Sequence, residues 1–343
     1  MNFLRLYRPL LAMSMAICFA TVGAMPAHAE VRVFSCEPEW AALTSELGGE
    51  RVVADSATTA FQDVHFIQAR PSLIARVRRA NLVVCTGAEL EIGWLPVLLR
   101  QGGNPAVQPG NPGYFEAAQF VHLLEVPTRV DRSEGDIHPF GNPHLQTDPR
   151  NIVAVAQALA TRLIAIDPSG KAIYEARYAE FAKRWQIAMT DWEHRAAPLK
   201  GMQIVTHHQA WAYTAHWLGL RDVAHLEPKP GVPPTAASLA GLLTNLQTHQ
   251  VRAIVRSVYE DEKASDWLAQ RINAPAIVLP PHRRQHTRRE GLVWHVQRHH
   301  RSAARRRPTS LGKHEFRSCC SLHHRPRAVG RDVGADHARA HGP

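Results

Sequence analysis

Three histidines stand where they could hold a metal ion: His65 in "FQDVHFIQARPS", His144 in "GNPHLQTDP" and His208 in "MQIVTHH". Neutral imidazoles suit Zn²⁺, which takes four ligands with nitrogens at about 2.0–2.1 Å. No HxxxH or CxxC spacing ties the three together, so coordination needs a fold that gathers them from distant parts of the chain. His138 belongs to the same Gly-, Pro- and Asn-rich run as His144. It is expected to be an exposed loop histidine, with auxiliary metal capture as the alternative.

The elements that must position these residues alternate along the chain. "VRVFSC", "RVVADSA" and "NLVVC" read as strands, with "PEWAALTSELGG" and "RPSLIARVRRA" as the helices between them. Strand and helix in that order predict a parallel sheet covered by helices, with its binding crevice beyond the carboxyl ends of the strands. His65 follows the second of these strands. "EIGWLPVLLRQGG" and "FEAAQFVHLLEV" continue the pattern less clearly, and residues 126–150 read as a long polar loop.

Pro149 opens the helical pattern "RNIVAVAQALATRLIAID". A second helix is expected from Asp167 to about Arg195, spanning about 40 Å at 1.5 Å per residue, as a strut between lobes. Beyond it "GMQIVTHH", "AWAYTAHWLGL", "AASLAGLLTNLQTH", "VRAIVRSVY", "KASDWLAQRI" and "PAIVLP" repeat the alternation, and His208 follows the strand "MQIVT". The expected fold class is therefore α/β: two lobes, each a parallel sheet flanked by helices, joined by one long rigid helix. The expected bounds are 30–166 for the first lobe, 167–198 for the linking helix and 199–280 for the second lobe.

Composition narrows the classes. Arg5 and Arg8, the apolar run that follows, and Ala27-His28-Ala29 read as a signal peptide over residues 1–29, with the mature chain starting near Glu30. A periplasmic location is expected. The formal charge of +10 would point to an anionic partner, but residues 282–343 carry 15 Lys+Arg against 4 Asp+Glu, while residues 1–281 carry 25 against 26. That excess therefore does not mark a nucleic-acid-binding fold.

Residues 281–343 also hold 10 of the 21 histidines and show no helical or strand periodicity. Arg, His, Pro and Ala bias is what a GC-rich gene yields out of frame. Allowed codons from His282 onward, read one nucleotide later, permit "TVGSTPEGKDWFGTFSDTIARLLA", a Gly turn followed by an amphipathic pattern. The tail is thus expected to be out of frame and disordered, leaving the second lobe without its closing strand and helix. A basic nucleic-acid-binding arm and a His-rich metal tract are the competing readings of the tail.

Of the five cysteines, Cys36 and Cys85 each end a strand-like run. If those strands are parallel neighbours, the two sulfurs lie at one sheet edge, and export permits a disulfide there. Two small buried residues would serve the packing equally well, and both alternatives stay open.

"QDVHFIQARPSLIARVRRANLVVCTGAELE", "GNPHLQTDPRNI", "HHQAWAYTAHWLGL" and "EPKPGVPPT" resemble the motifs of the zinc and manganese solute-binding proteins of ABC importers, the ZnuA-like family. The resemblance covers roughly residues 31–280, in order, with the long helix in its expected place. It implies a non-enzymatic, monomeric carrier that binds Zn²⁺, with Mn²⁺ as the alternative, and hands it to a membrane ABC permease. His65, His144 and His208 fall on the family's three histidine ligand positions, and His207 on one that is often aromatic. The family's completing carboxylate would lie where the tail begins. Glu260 or Asp261 could serve instead, and Glu260 is carried as the fourth ligand. Two rivals remain: a zinc-dependent hydrolase with Glu260 as general base, and a helix-linked carrier of a chelate such as haem or a siderophore.

Overall fold

Two parallel four-stranded sheets form in succession along the chain. The computed structural model describes residues 30–279 apart from 132 and 134. The expected signal peptide and the basic tail, with the frameshift expected in it, lie outside the described residues.

The first lobe runs β1 (Val31–Ser35), α1 (Pro38–Gly48), β2 (Val52–Ser56), α2 (Pro71–Arg79), β3 (Leu82–Cys85), α3 (Leu95–Gly102) and β4 (Tyr114–Glu116). The strand order is β2-β1-β3-β4 and every pair is parallel. β1 and β3 are buried almost throughout, because helices cover both faces of a sheet built by such crossovers. The run "FEAAQFVHLLEV" does not form a regular element. It supplies the end of β4 and a 3₁₀ turn over Ala117–Phe120.

The chain leaves β1 toward β2 on one side and returns to β3 on the other, so the crevice of this sheet opens between β1 and β3. Cys36 and Cys85 meet there in a disulfide, with 4.8 Å between their Cα atoms. Of the two alternatives open in the sequence, the pairing is the one found, and both cysteines are fully buried.

Two buried carboxyls lie beside the disulfide. Glu91 accepts from the backbone N–H of Thr86 at 2.7 Å and of Gly87 at 3.1 Å. Glu37 accepts from the Thr86 hydroxyl at 3.1 Å, which in turn accepts from Trp40 Nε1 at 2.8 Å. Burial, then the neighbouring Glu91 charge, push the Glu37 carboxyl well above its ordinary value, and burial pushes Glu91 up to about 7. Folding therefore takes up protons here. The stabilisation is complete below the ordinary glutamate value of about 4.3 and is lost as pH rises through the raised values. Glu37→Gln keeps the hydrogen-bonding shape but cannot ionise. Urea denaturation from about pH 5 to about pH 8 should show a smaller loss of stability in this variant than in wild type. Equal losses would show that the pair does not hold an extra proton.

α4 (Pro149–Ile166) packs along α5 (Lys171–Ala196), the long helix between the two sheets. Pro149 sits in the first turn of α4, and Asp148 caps it by accepting from Arg150 N–H. α5 has 26 residues, or about 39 Å, with 3₁₀ turns over Pro168–Gly170 and Ala197–Leu199 at its ends. Tyr174, Phe181, Trp185 and Trp192 on α5 are buried in a core that also includes Trp40 and Leu159 of the first lobe and Tyr213 and Trp217 of the second. Trp185 Nε1 donates to the Pro149 carbonyl, and Trp217 Nε1 to Glu193, each at 2.8 Å. Because one core runs through both lobes, opening them against each other would expose these indoles.

The second lobe runs β5 (Gln203–Thr206), α6 (Ala212–Leu218), β6 (Arg221–His225), α7 (Ala236–Asn245), β7 (Val251–Arg256), α8 (Glu262–Ile272) and β8 (Ala276–Val278). Its order, β6-β5-β7-β8, is again parallel throughout. No helix among the described residues is long and apolar enough to cross a membrane.

Candidate metal centre

The loop after β2 carries His65. Its backbone N–H donates to Asp63 Oδ1 at 3.0 Å, and its ring Nδ1 lies 2.7 Å from the same oxygen. That leaves Nε2 buried, without a hydrogen-bond partner among the described residues. Burial alone would push the Asp63 carboxyl up, but the hydrogen bonds and charge of His65 outweigh it and hold Asp63 below the usual carboxylate range.

His208 follows β5 directly. Its Nδ1 lies 2.8 Å from Glu227 Oε2, an oxygen that also accepts from Gly231 N–H at 2.9 Å. His144 precedes the 3₁₀ turn Leu145–Thr147 that leads into α4. Its backbone N–H donates to Asn142 Oδ1 at 2.9 Å, and the Asn142 amide donates across to the Gln209 carbonyl at 2.8 Å. Tyr213 donates to the Asn142 carbonyl at 2.6 Å, so the His144 loop is fastened to the second lobe from two sides.

These loops bring the three rings together. Their centroids are 5.4 Å apart for His65–His144 and His65–His208, and 5.1 Å apart for His144–His208. One ligand atom from each lies within 4.8 Å of the others. His144 Nε2 and His208 Nε2 are 3.1 Å apart, a contact in which one nitrogen must carry the proton. A cation between them would displace that proton and take both lone pairs. Burial, followed by the charges of the neighbouring histidines, holds His144 well below the ordinary histidine value, so its ring is a neutral donor at neutral pH. Asp63 and Glu227 hold His65 and His208 as outer carboxylates hold metal-binding imidazoles, fixing the orientation of each ring.

A cavity of about 610 Å³ opens beside the cluster, lined by Asp63, His65, His208, Glu227, Tyr259 and Glu260 among others. Glu260 stands on its wall and is not among the three residues whose ligand atoms converge. One carboxylate oxygen accepts from Ser257 N–H in its own turn, and the other is buried without a partner among the described residues. Burial pushes its carboxyl up to about 7. Asp261 instead caps α8 by accepting from Lys263 N–H at 2.9 Å. His207 is buried on the cavity wall and stays outside the converging set. His138 corrects the expectation of an exposed residue: it is half-buried, with its ring centroid 5.4 Å from that of His65. Cys36, Cys85 and Glu91 also approach within 4.8 Å of one another, but the two sulfurs are bonded to each other and offer no thiolate.

The orienting carboxylates escaped the sequence reading. Asp63, two residues before His65, was the more legible, since an Asx side chain readily bonds the backbone two residues on. Glu227 lies 19 residues beyond His208, and only the parallel pairing of β5 with β6 brings it back.

Two parallel α/β lobes on one long helix, with buried imidazoles from both lobes meeting between them, define a solute-binding protein of the helix-linked, two-lobed class. Residues 33–291 match the family model "Zinc-uptake complex component A periplasmic", ZnuA, and the chain belongs to that family of solute-binding proteins. It is accordingly a metal-binding receptor of ABC uptake and not an enzyme, which removes the hydrolase reading. The chain is 26% identical over 219 residues to the high-affinity zinc uptake system protein ZnuA of Bacillus subtilis, covering 63% of this chain and 67% of that protein. It is 22% identical over 253 residues to the manganese ABC transporter substrate-binding lipoprotein PsaA of Streptococcus pneumoniae, covering 72% and 78%. In fold it is similar to a crystal structure of ZnuA, with a TM-score of 0.66 at 20% identity over 80% of this chain and 98% of that one. A zinc-bound ZnuA deletion mutant gives 0.65 at 19% identity, over 80% and 97%.

Proposed function

We propose that this chain captures Zn²⁺ in the periplasm through His65, His144 and His208 and delivers it to the permease of an ABC importer. The observation that carries this reading is the convergence of three imidazoles, two buried and one half-buried, from three separate loops within 4.8 Å, two of them oriented by carboxylates. Nitrogen donors favour zinc over manganese, which prefers oxygen ligands and sits lower in the divalent affinity order. Relatives named for zinc and for manganese both match this chain, so the donor set supports the choice of metal where the names do not.

Competition titration with a chromophoric chelator tests the proposal. One zinc per chain should bind, with Mn²⁺ much weaker. Imidazoles must shed protons to coordinate, so affinity should be greatest at about pH 8 and fall steeply toward about pH 5. Zinc binding of equal strength at both ends of that range would refute histidine coordination. Tighter binding of Mn²⁺ would refute the choice of metal alone.

A further inference from the structure

His138 presents a buried ring nitrogen with nothing to bind. Its Nε2 has no hydrogen-bond partner among the described residues, and its ring centroid is 5.4 Å from that of His65, although, like Glu260 and His207, it stands outside the set whose ligand atoms lie within 4.8 Å of one another. A desolvated nitrogen without a partner loses what water would have given it, a cost that persists unless something else in the site supplies a partner. His65 Nε2 is a second such nitrogen, in the adjacent ring of the cluster.

The backbone holds His138 in that place through contacts to the other lobe. Asp136 N–H donates to the Pro230 carbonyl at 2.9 Å, and Lys229 Nζ to the Ser133 carbonyl at 2.8 Å. Gly135 and Gly231 both have positive φ, +89° and +74°; a Cβ on Gly135 would run into the Pro230 backbone, and one on Gly231 into the Asp136 carboxylate. At Gly135 the obstacle is backbone, so only glycine lets the two segments lie so close there. The Gly231 N–H is bound by the carboxylate that orients His208, so His138 and His208 are positioned by one connected set of contacts.

We propose that His138 is the fourth ligand of the metal held by His65, His144 and His208, closing an all-imidazole site with the loop that precedes His144. The inference rests on the reading of the three histidines as metal ligands. It assigns to His138 the place expected for Glu260: each has one buried atom without a partner among the described residues, but the other Glu260 oxygen is bound back to Ser257 in its own turn, whereas the His138 ring packs 5.4 Å from that of His65. Four neutral nitrogens make a tetrahedral site of the kind zinc prefers and leave no position open for water.

Cobalt(II) replaces zinc as a visible and paramagnetic probe in wild type, His138→Ala, His138→Asn, Glu260→Gln and His208→Ala. Wild type should give the intense visible band of four-coordinate cobalt and one hyperfine-shifted, exchangeable imidazole N–H resonance for each coordinated histidine. Both His138 variants should lose one such resonance, weaken the band as water enters, and bind zinc about 100-fold less tightly. Their metal-free melting should match wild type, and Glu260→Gln should leave band and affinity unchanged. If the His138 variants keep every resonance and the full affinity while His208→Ala loses them, the fourth-ligand inference is wrong and the three-histidine site stands. The inference fails equally if Glu260→Gln weakens the band and the His138 variants do not. Wild type that takes up neither cobalt nor zinc overturns both readings together.

Discussion

Replacing His144 with alanine should lower zinc affinity by about 100-fold while leaving the metal-free protein folded. Structural zinc sites bind with about 10–16 kcal/mol, so one of four ligands carries roughly 3 kcal/mol, or about two orders of magnitude. His144 is the most enclosed of the three, 4% exposed, and its removal leaves the His208 ring without its Nε2 partner as well. The fold should tolerate the change because the loop is held by backbone and Asn142 contacts that do not involve the imidazole. His207→Ala is the matched control: an adjacent buried histidine outside the converging set, whose loss should cost less than about tenfold. Chelator competition on the two variants separates them, and a loss in His207→Ala as large as in His144→Ala would mean that His207 and not His208 is the ligand from that loop.

The second large effect concerns stability. Cys36 and Cys85 are 49 residues apart in sequence and close a loop containing α1, β2 and α2. Constraining a loop of that length in the unfolded chain corresponds to about 4 kcal/mol of stability. The double variant Cys36→Ala, Cys85→Ala should therefore lose about 2–5 kcal/mol in urea denaturation, a large share of what a domain has. Part of the effect has a route to the metal centre. The Cys36 carbonyl accepts from Thr58 N–H and its hydroxyl at the start of the loop that carries His65. Both cysteines are buried, so reductant should act on the native protein only slowly and chiefly through unfolding. A double variant within 1 kcal/mol of wild type, an order-of-magnitude bound, would mean that packing alone holds this sheet edge.

The sheets and the long helix were readable because their signals are local. β1, β3, β5 and β7 are apolar runs bounded by turns, and Pro38, Pro71 and Pro149 each mark a helix start. β6 was missed for an equally local reason: "RDVAH" is an edge strand, half-exposed along its length and paired only with β5, so burial imposes no apolar pattern on it. His65, His144 and His208 were legible as loop residues near strand or helix ends, and the family resemblance singled them out. His138 was misjudged because its burial depends on a contact with the 229–231 segment nearly a hundred residues away, which no local pattern encodes. The Glu37–Glu91 pair was invisible for the same kind of reason, since a carboxylate in a sequence is assumed to be solvated until a fold removes the water.

X-ray absorption at the zinc edge, on wild-type protein loaded with one equivalent, reads the donor atoms around the metal themselves. A shell of nitrogen donors at about 2.0–2.1 Å, with the outer-shell scattering of at least three imidazole rings, is the expected result. A shell made mainly of oxygen, or one containing sulfur at about 2.3 Å, would contradict the histidine site.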